Sequence, residues 1–387
     1  MNLEQLKQQF DKLYGKTSER VSVCFSPGRV NLIGEHTDYN GGYVFPCALS
    51  YGTYLLVRRT SDNQIKFASA NFGFTAVVDT DKIVSKQDDH WINYPMGVMN
   101  EFLKLGIKPG GMELLFSGNV PNGAGLSSSA SIEIVTAFAI NDMYKAGLNG
   151  VELARLGQRA ENLFVGVNCG IMDQFASVMG KRDSAIFLNC DTLEYELVPV
   201  VMNGYKLIIS NTNKRRGLAD SKYNERRGEC EKAVEYISNR KKIKNLGELS
   251  YDEFLELQDT IKEENVLKRA RHVITEIKRT EDAVGELKSG NLVQFGQLMN
   301  GSHDSLRDDY EVTGIEHDTL VDETRKIPGV VGSRMTGAGF GGCTVSVLKE
   351  DSIDTYKENV GRNYQSKTGL KADFYIADIG DGAKKLE

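Results

Sequence analysis

Apolar side chains recur at intervals of three and four residues in the first fifteen positions, at Leu3, Leu6, Phe10 and Leu13. This spacing places them near one face of a helix, with charged residues between them. A secretory signal peptide would instead need an uninterrupted apolar core of about 7–15 residues. We therefore expect a surface helix and a cytoplasmic chain. The sequence has no run of about 18 apolar residues, so no membrane span is expected.

Strand-like and helical patterns alternate through the first half of the chain and beyond it. Runs of β-branched and aromatic residues bounded by turn residues predict strands at Val21–Phe25, Gly52–Arg59, Gln64–Ser69, Met112–Ser117, Ala185–Leu188, Lys206–Ser210, Gly342–Leu348 and Ala372–Ile376. Ser129–Tyr144 is long, apolar and free of Gly and Pro, which predicts a buried helix, and Val151–Phe164 predicts a second. From about Asp220 to Met299 the residues turn to Glu, Lys, Arg and Leu without Pro, which predicts consecutive amphipathic helices.

This mixture, without strict βαβ alternation, predicts an α+β protein. The 387 residues suffice for two domains at about 150 residues each. We place the boundary near Gly180, which gives an N-terminal lobe of residues 1–180 and a C-terminal lobe of residues 181–387.

Charge and cysteine content narrow the class of protein. The 47 basic and 53 acidic residues give a net charge of −6. Nucleic-acid binding usually needs a dense basic face, so we expect no nucleic acid as a partner. None of the six cysteines forms a CxxC pair, so buried free thiols in a reducing compartment are expected. Without an exposed heptad pattern, we expect a monomer.

The first of three glycine-rich segments is GRVNLIGEHTDYNGGYVFP, at Gly28–Pro46. It follows a predicted strand and carries a dense set of hydrogen-bonding side chains, namely Arg29, Asn31, Glu35, His36, Asp38 and Asn40. A solvated surface turn is the simpler interpretation. A site that binds a polyhydroxylated sugar requires such side chains more than a surface turn does, because each sugar hydroxyl both donates and accepts hydrogen bonds.

The second segment is PNGAGLSSSAS, at Pro121–Ser131, directly before the predicted buried helix. Free N–H groups and the dipole at a helix N-terminus favour an anion, and serine hydroxyls are suitable ligands for Mg²⁺. An ordinary serine N-cap is the alternative, but the run of small residues exceeds what a cap needs. The segment is not a P-loop, because GxxxxGK[ST] is absent.

The third segment is TGAGFGG, at Thr336–Gly342. Its glycines match the GxGxxG dinucleotide fingerprint, which requires a strand before it and a helix after it. The residues that follow, CTVSVL, predict a strand instead, so a dehydrogenase is excluded. We expect a loop that approaches the nucleotide phosphates or the serine-rich segment.

Two acidic residues lie between the second and third segments. Asp173 stands in the otherwise apolar run CGIMDQF, and Glu161 stands late on the second predicted helix. By itself Asp173 is a helix cap or turn residue and Glu161 a surface charge.

Together the segments resemble one family. GRVNLIGEHTDYNGGYV is similar to the signature of the galactokinase group, and the second and third segments resemble motifs of the wider GHMP kinases, named for galacto-, homoserine, mevalonate and phosphomevalonate kinases. The resemblance covers most of the chain, in order. It implies a two-lobed GHMP kinase fold, with an N-terminal lobe like domain 2 of ribosomal protein S5 and an active site in the cleft between the lobes. The implied activity is transfer of the γ-phosphoryl group of MgATP to the C1 hydroxyl of galactose.

The resemblance also implies roles for individual residues. Asp173 and Arg29 match the catalytic pair, and Ser129 and Glu161 match the ligands of Mg²⁺. Galactose-binding positions fall on Glu35, His36, Thr37, Asp38, Asp173 and Tyr223. ATP-binding positions fall on Ser69, Trp91, Tyr94, Gly123, Ala124, Gly125, Leu126, Ser127, Ser128 and Ser129. One departure is Met96, where the family pattern WxNYxKG has a basic residue.

Phosphoryl transfer depends mainly on positioning and charge neutralisation. Asp173 is the expected acceptor of the sugar's proton. Burial would make it a stronger base, while Arg29 nearby would make it mainly an orienting charge, and the sequence leaves both open. Two other functions also stay open, a kinase for a related sugar such as N-acetylgalactosamine and a non-catalytic sensor of galactose and ATP.

Overall fold

The computed structural model describes residues 2–87, 90–121, 125–214 and 219–387. Strands are formed by β1 Ser22–Asn31, β2 Tyr43–Val44, β3 Pro46–Arg59, β4 Gln64–Ser69, β5 Thr75–Asp79, β6 Met112–Gly118, β7 Ser184–Asn189, β8 Tyr195–Pro199, β9 Tyr205–Asn211, β10 Val330–Thr336, β11 Cys343–Lys349, β12 Asp373–Ala377 and β13 Lys384–Lys385. Helices are formed by α1 Leu3–Tyr14, α2 Asn93–Lys104, α3 Ser128–Tyr144, α4 Gly150–Arg159, α5 Met172–Met179, α6 Ala219–Ser238, α7 Tyr251–Leu257, α8 Glu264–Lys288, α9 Leu292–Ser305, α10 Ile315–Arg325 and α11 Ile353–Thr368.

A six-stranded sheet in the order β13-β1-β3-β6-β4-β5 organises the N-terminal part. Its strands are antiparallel except for β4 and β6, which run parallel. Helices α2, α3 and α4 share a buried apolar core with its strands. Helix α3 is apolar nearly all round, as a helix in the middle of a core must be, and this confirms the expected buried helix.

A four-stranded sheet in the order β10-β11-β9-β12 organises the C-terminal part. Helices α8 and α9 pack together, and α9 also packs on β10. The consecutive helices expected between about 220 and 299 are confirmed as α6, α7, α8 and α9. Within the described residues, no helix combines the length and the apolar character that a membrane span requires.

The two parts share structure across the expected boundary near Gly180. Strand β13 returns from the C-terminal end to pair with β1, and β2 joins β7 and β8 in a three-stranded sheet. One apolar cluster contains Val30 and Phe45 together with Phe295 and Val345. These contacts make the two parts one packed unit. The division into residues 1–180 and 181–387 stays a prediction.

Two local differences from the sequence expectations shape the site. Strand β1 runs on to Asn31, past Pro27 and Gly28, because its pairing with β3 shifts register there and resumes: Pro27 pairs with Gly52 and Arg29 with Ala48. Arg29 therefore lies on a strand and not in a loop. The second helix is α-helical only to Arg159 and continues as a π-helical turn, Ala160–Val165, a feature frequent at functional sites.

Candidate active site

A cleft of about 350 Å³ brings the glycine-rich segments together. Its lining comes from the end of β1 and the loop after it, the starts of α2 and α3, the π-helical turn, residues 166–173, α6 and the loop between β10 and β11. The predicted site residues that line it are Arg29, Glu35, His36, Asp38, Tyr94, Ser129, Glu161, Asp173 and Tyr223.

Asp173 stands in the first turn of α5 and is held by two donors. The Nη2 atom of Arg29 lies 2.8 Å from its Oδ1 and 3.1 Å from its Oδ2, and the Ser127 hydroxyl donates to Oδ2 over 2.6 Å. Arg29 is almost fully buried, while the Asp173 side chain keeps 27% of its surface exposed. The carboxylate therefore has a fixed orientation and stays accessible from the cleft.

The serine-rich segment is tied to the strand that carries Arg29. The Arg29 N–H donates to the Leu126 carbonyl, and its side chain donates to the Gly125 carbonyl over 2.8 Å. A Cβ atom at Gly28 would lie 2.4 Å from the Leu126 oxygen, so only glycine permits this approach. Ser127 takes a left-handed conformation, with φ of 58°, just before α3. This conformation directs its hydroxyl to Asp173 and does not cap the helix.

The predicted phosphate-binding residues differ in exposure. Ser128 is exposed, Ser129 and Gly125 are partly exposed, and the Leu126 side chain belongs to the apolar core. Leu126 can therefore contribute only its backbone. Gly123 and Ala124 lie outside the described residues.

Glu161 is a buried carboxyl on the π-helical turn, contrary to the surface charge that its position in the sequence suggests. Only 6% of it is exposed, and the neighbouring Ser129 hydroxyl favours its charged form. The amide nitrogen of Gln174 donates to Glu161 over 2.6 Å and to Glu133 over 3.0 Å. Burial and the nearby Asp173 charge raise the pKa of Glu161 to about 7.

The oxygen donors around Glu161 fit a divalent cation. Ser129 and Glu161 offer hard oxygen donors at the cleft wall, and a cation there would relieve the repulsion between Glu161 and Asp173. Across the described ranges, no group of three or more His, Cys, Asp or Glu side chains is arranged to hold a metal ion. Further ligands would therefore have to come from phosphate oxygens and water.

The loop after β1 supplies the predicted sugar-binding side chains. Glu35 is buried, and its Oε1 accepts hydrogen bonds from the Gly337 N–H at 2.7 Å and the Thr336 hydroxyl at 3.0 Å. His36 contacts the rings of Tyr39 and Tyr223. Burial lowers the pKa of His36 to about 3, so its imidazole is neutral and can both donate and accept.

Thr37 is the member of this group that does not line the cleft. Its hydroxyl lies 2.9 Å from the Gly34 carbonyl and 2.7 Å from the Tyr43 carbonyl. Thr37 therefore shapes the loop, because its side chain is engaged with backbone.

Asp38 faces the cleft from a crowded position. Burial and the charges of Asp173 and Glu35 raise its pKa to about 7. A Cβ atom on Gly170 would lie 1.9 Å from the Asp38 Oδ2. The space for this carboxylate therefore depends on glycine at position 170.

The third glycine-rich segment connects β10 to β11. A strand therefore follows it, as predicted, and not the helix of a dinucleotide-binding fingerprint. Its described contacts differ from the expected ones with phosphates or the serine-rich segment. Thr336 and Gly337 donate to Glu35, and the Phe340 N–H donates to the Val312 carbonyl over 2.8 Å. Positive φ angles at Gly337 and Gly339 give the compact turn that reaches the sugar-binding loop.

Of the predicted adenine-pocket residues, Tyr94 lines the cleft and Trp91 lies beyond it. The Trp91 ring packs edge-on against Phe74 and Phe116 at 5.9 and 5.3 Å. Its buried indole nitrogen has no hydrogen-bond partner among the described residues. Ser69, at the end of β4, accepts from the Asn71 N–H.

Sequence reasoning missed two buried polar residues of the site, Glu133 and Gln174. Both are fully buried, and Gln174 links Glu133 to the Glu161 carboxyl. A signal for Glu133 was available, since it is the one charged residue in the first dozen positions of an otherwise apolar helix. Such a residue is rarely buried without a partner.

Comparison with known proteins identifies the class that this fold and cleft define. The family model described as GHMP kinases N terminal domain matches residues 93–181, and the one described as GHMP kinases C terminal matches residues 283–366. The protein is thus an ATP-dependent kinase with the GHMP fold. A third model, the galactokinase galactose-binding signature, matches residues 8–59.

Full-length relatives narrow the class further. Galactokinase of Fusobacterium nucleatum is 53% identical, with 100% of both chains covered. Galactokinase of Clostridium beijerinckii is 54% identical over 100% of this chain and 99% of its own. The crystal structure of Lactococcus lactis galactokinase complexed with galactose superposes with a TM-score of 0.97 at 45% identity, covering 99% of this chain and 100% of that one. The chain belongs to the galactokinase family.

Proposed function

We propose that this enzyme transfers the γ-phosphoryl group of MgATP to the C1 hydroxyl of α-D-galactose, giving galactose 1-phosphate and ADP. The observation that carries the proposal is the position of Asp173, which is held by Arg29 and Ser127 where the sugar-binding loop meets the start of α3. A sugar hydroxyl beside this carboxylate can lose its proton to Asp173 as the bond to phosphorus forms.

The polar groups around Asp173 suit the two substrates. Glu35, His36, Asp38 and Tyr223 line one part of the cleft and would read the hydroxyl pattern of the sugar. The N-terminal N–H groups of α3 would bind the phosphates, because they lack partners within the helix and the dipole favours negative charge. Ser128 and Gly125 would contribute to this binding, and Ser69, Trp91 and Tyr94 are proposed for the nucleoside.

Ser129 and Glu161 would hold Mg²⁺, which when bound neutralises charge on the phosphates. Arg29 would add a fixed positive charge next to the reacting oxygen. It lies too deep to be screened strongly by water. Its effect on the transition state is therefore larger than that of a surface arginine.

Residues 1–180 would then contribute most of both binding sites, with residues 181–387 closing the cleft through Tyr223 and the loop between β10 and β11. We further propose a cytoplasmic monomer. The six free cysteines are typical of a reducing compartment, and light scattering on the purified protein tests the oligomeric state.

The deciding experiment is release of ADP from MgATP with galactose, glucose, N-acetylgalactosamine or no sugar, measured side by side. We expect turnover with galactose far above the other conditions. Higher turnover with N-acetylgalactosamine would identify that sugar as the substrate. Tight binding of galactose and ATP without turnover would indicate a non-catalytic sensor.

A further inference from the structure

We propose that His272 and Glu276, on α8, are positioning residues for sugar recognition, because they fix the backbone of Glu35 from outside the cleft. The inference rests on the proposed function, in which Glu35 contacts the sugar. Neither residue lines the cleft, and both are fully buried. They lie one helical turn apart, so their side chains project from the same face of α8.

The two side chains hold the two backbone groups of Glu35. The Oε1 atom of Glu276 accepts from the Gly34 N–H at 3.0 Å and from the Glu35 N–H at 3.4 Å. The Nε2 atom of His272 lies 3.1 Å from the Glu35 carbonyl oxygen. A carbonyl only accepts, so Nε2 carries the proton, and Nδ1 accepts from the Ser305 hydroxyl at 2.9 Å.

Glu276 is itself fixed by charged and polar neighbours. Burial disfavours its charged form, but the charges of Arg279 and Arg334 and the hydrogen bond from Ser302 hold the pKa of this carboxyl at about 2. Arg279 pairs with its Oε2, and the Ser302 hydroxyl donates to its Oε1. An ionised carboxylate held in this way is a strong acceptor for backbone N–H groups.

The same network reaches the Glu35 side chain. Arg334 is fully buried, and its guanidinium donates to the Ser302 hydroxyl at 3.1 Å and the Asn31 carbonyl at 2.9 Å. One nitrogen also lies 3.4 Å from Glu35 Oε1. Glu35 is therefore fixed by its N–H, its carbonyl and its carboxylate.

The loop needs such restraint because its backbone is unusual. Gly34 has φ of 92°, and the residue after Glu35, His36, has φ of 62°. A left-handed conformation is disfavoured for a residue with a side chain and persists where the surroundings impose it. We infer that α8 imposes it, so that Glu35 and His36 are oriented before sugar arrives.

Two variants test the role of α8. Glu276→Gln keeps the shape and removes the charge, and His272→Phe keeps a ring and removes the donor to Glu35. The matched control is Glu113→Gln, which removes another buried carboxylate that pairs with an arginine, Arg58, in the six-stranded sheet.

The measurements are the galactose Kd by calorimetry, KM for galactose and for ATP, kcat, and thermal stability. We expect the galactose Kd and KM to rise about 10–100-fold in Glu276→Gln, which weakens hydrogen bonds to a charged group, and about 3–10-fold in His272→Phe, which removes a neutral one. KM for ATP should stay within about twofold of the wild-type value, since the described contacts of the network lie on the sugar side. Glu113→Gln should lose stability without changing the galactose Kd.

A folded variant with an unchanged galactose Kd would overturn the inference, as would an equal loss of affinity for galactose and ATP. If Glu276→Gln does not fold, His272→Phe decides by the same criteria. A wild-type protein that binds galactose without phosphorylating it would overturn the proposed function alone, because the Kd comparison still tests α8. A wild-type protein that does not bind galactose would overturn both.

Discussion

Replacing Asp173 with asparagine tests the centre of the proposed mechanism. Asparagine has nearly the same shape as aspartate, but it carries no charge and cannot accept the sugar's proton. The hydroxyl of Ser127 and the guanidinium of Arg29 would still face the side chain. We therefore expect the cleft to keep its geometry and to lose the group that takes the proton.

The size of the effect follows from this loss. A positioned base contributes about 10²–10⁴-fold to rate, or about 3–5 kcal/mol of activation free energy. Stability should also fall, because Arg29 remains buried without its carboxylate. Since Asp173 is 27% exposed, we expect about 1–3 kcal/mol, less than the 3–5 kcal/mol typical of a fully buried pair.

The assay compares single-turnover formation of galactose 1-phosphate with the galactose Kd from calorimetry. We expect kcat to fall at least a hundredfold and the Kd to stay within a few fold of the wild-type value. The control is Asp308→Asn, which removes an exposed carboxylate paired with Arg307. A variant that retains more than about a tenth of the wild-type rate would refute the role of base, and a rate loss fully explained by weaker galactose binding would refute the separation of chemistry from binding.

Three further predictions concern the walls of the cleft. Glu161→Gln should raise the Mg²⁺ concentration for half-maximal activity about tenfold or more, since it removes a charged ligand; an unchanged Mg²⁺ titration would count against the metal site. Gly170→Ala should raise KM for galactose more than KM for ATP, because the new methyl group would overlap the Asp38 carboxylate; equal changes would contradict this. Asp38→Asn should gain thermal stability relative to the wild type as pH rises from 5 to 8 without ligands. The folded wild-type protein keeps a proton on Asp38 up to about pH 7, while the unfolded chain loses it near the ordinary pKa of 3.8. The wild type therefore loses stability as pH rises between these two values, because only its folded state holds the proton, and the loss ends near pH 7. A stability difference independent of pH would show that Asp38 titrates normally.

The regular elements were predictable where one local pattern dominated. The strand at Gln64–Ser69 was predicted to the residue, and the buried helix was predicted to within one residue of Ser128–Tyr144. Strands β5 and β8 were missed because both are short and each buries only one residue, Val78 and Val198. Strand β10 contains a central Arg334 that no local pattern marks as buried, since its partners Asn31 and Ser302 lie far away in the sequence.

The candidate site was predictable as a set of residues but not as a geometry. The motifs placed Arg29, Asp173 and Ser129 in one site, and their side chains do line one cleft. They did not reveal that Gln174 bridges Glu133 and Glu161, or that α8 holds Glu35. Such contacts join residues up to 242 positions apart, and they arise from tertiary packing that no local pattern encodes.

Several residues with unusual backbone conformations or raised pKa values lie around the cleft. Ser127 and His36 take left-handed conformations, α4 loosens into a π-helical turn at Glu161, and the carboxyls of Asp38 and Glu161 both have a pKa near 7. Each feature costs folding free energy and persists because the surrounding core over-determines it. Since MgATP and sugar would neutralise or hydrogen-bond these groups, the same features that reduce the stability of the empty protein give it affinity for its ligands. Binding should therefore stabilise the fold by more than the new contacts alone would suggest, because it also relieves the repulsion among the carboxyls.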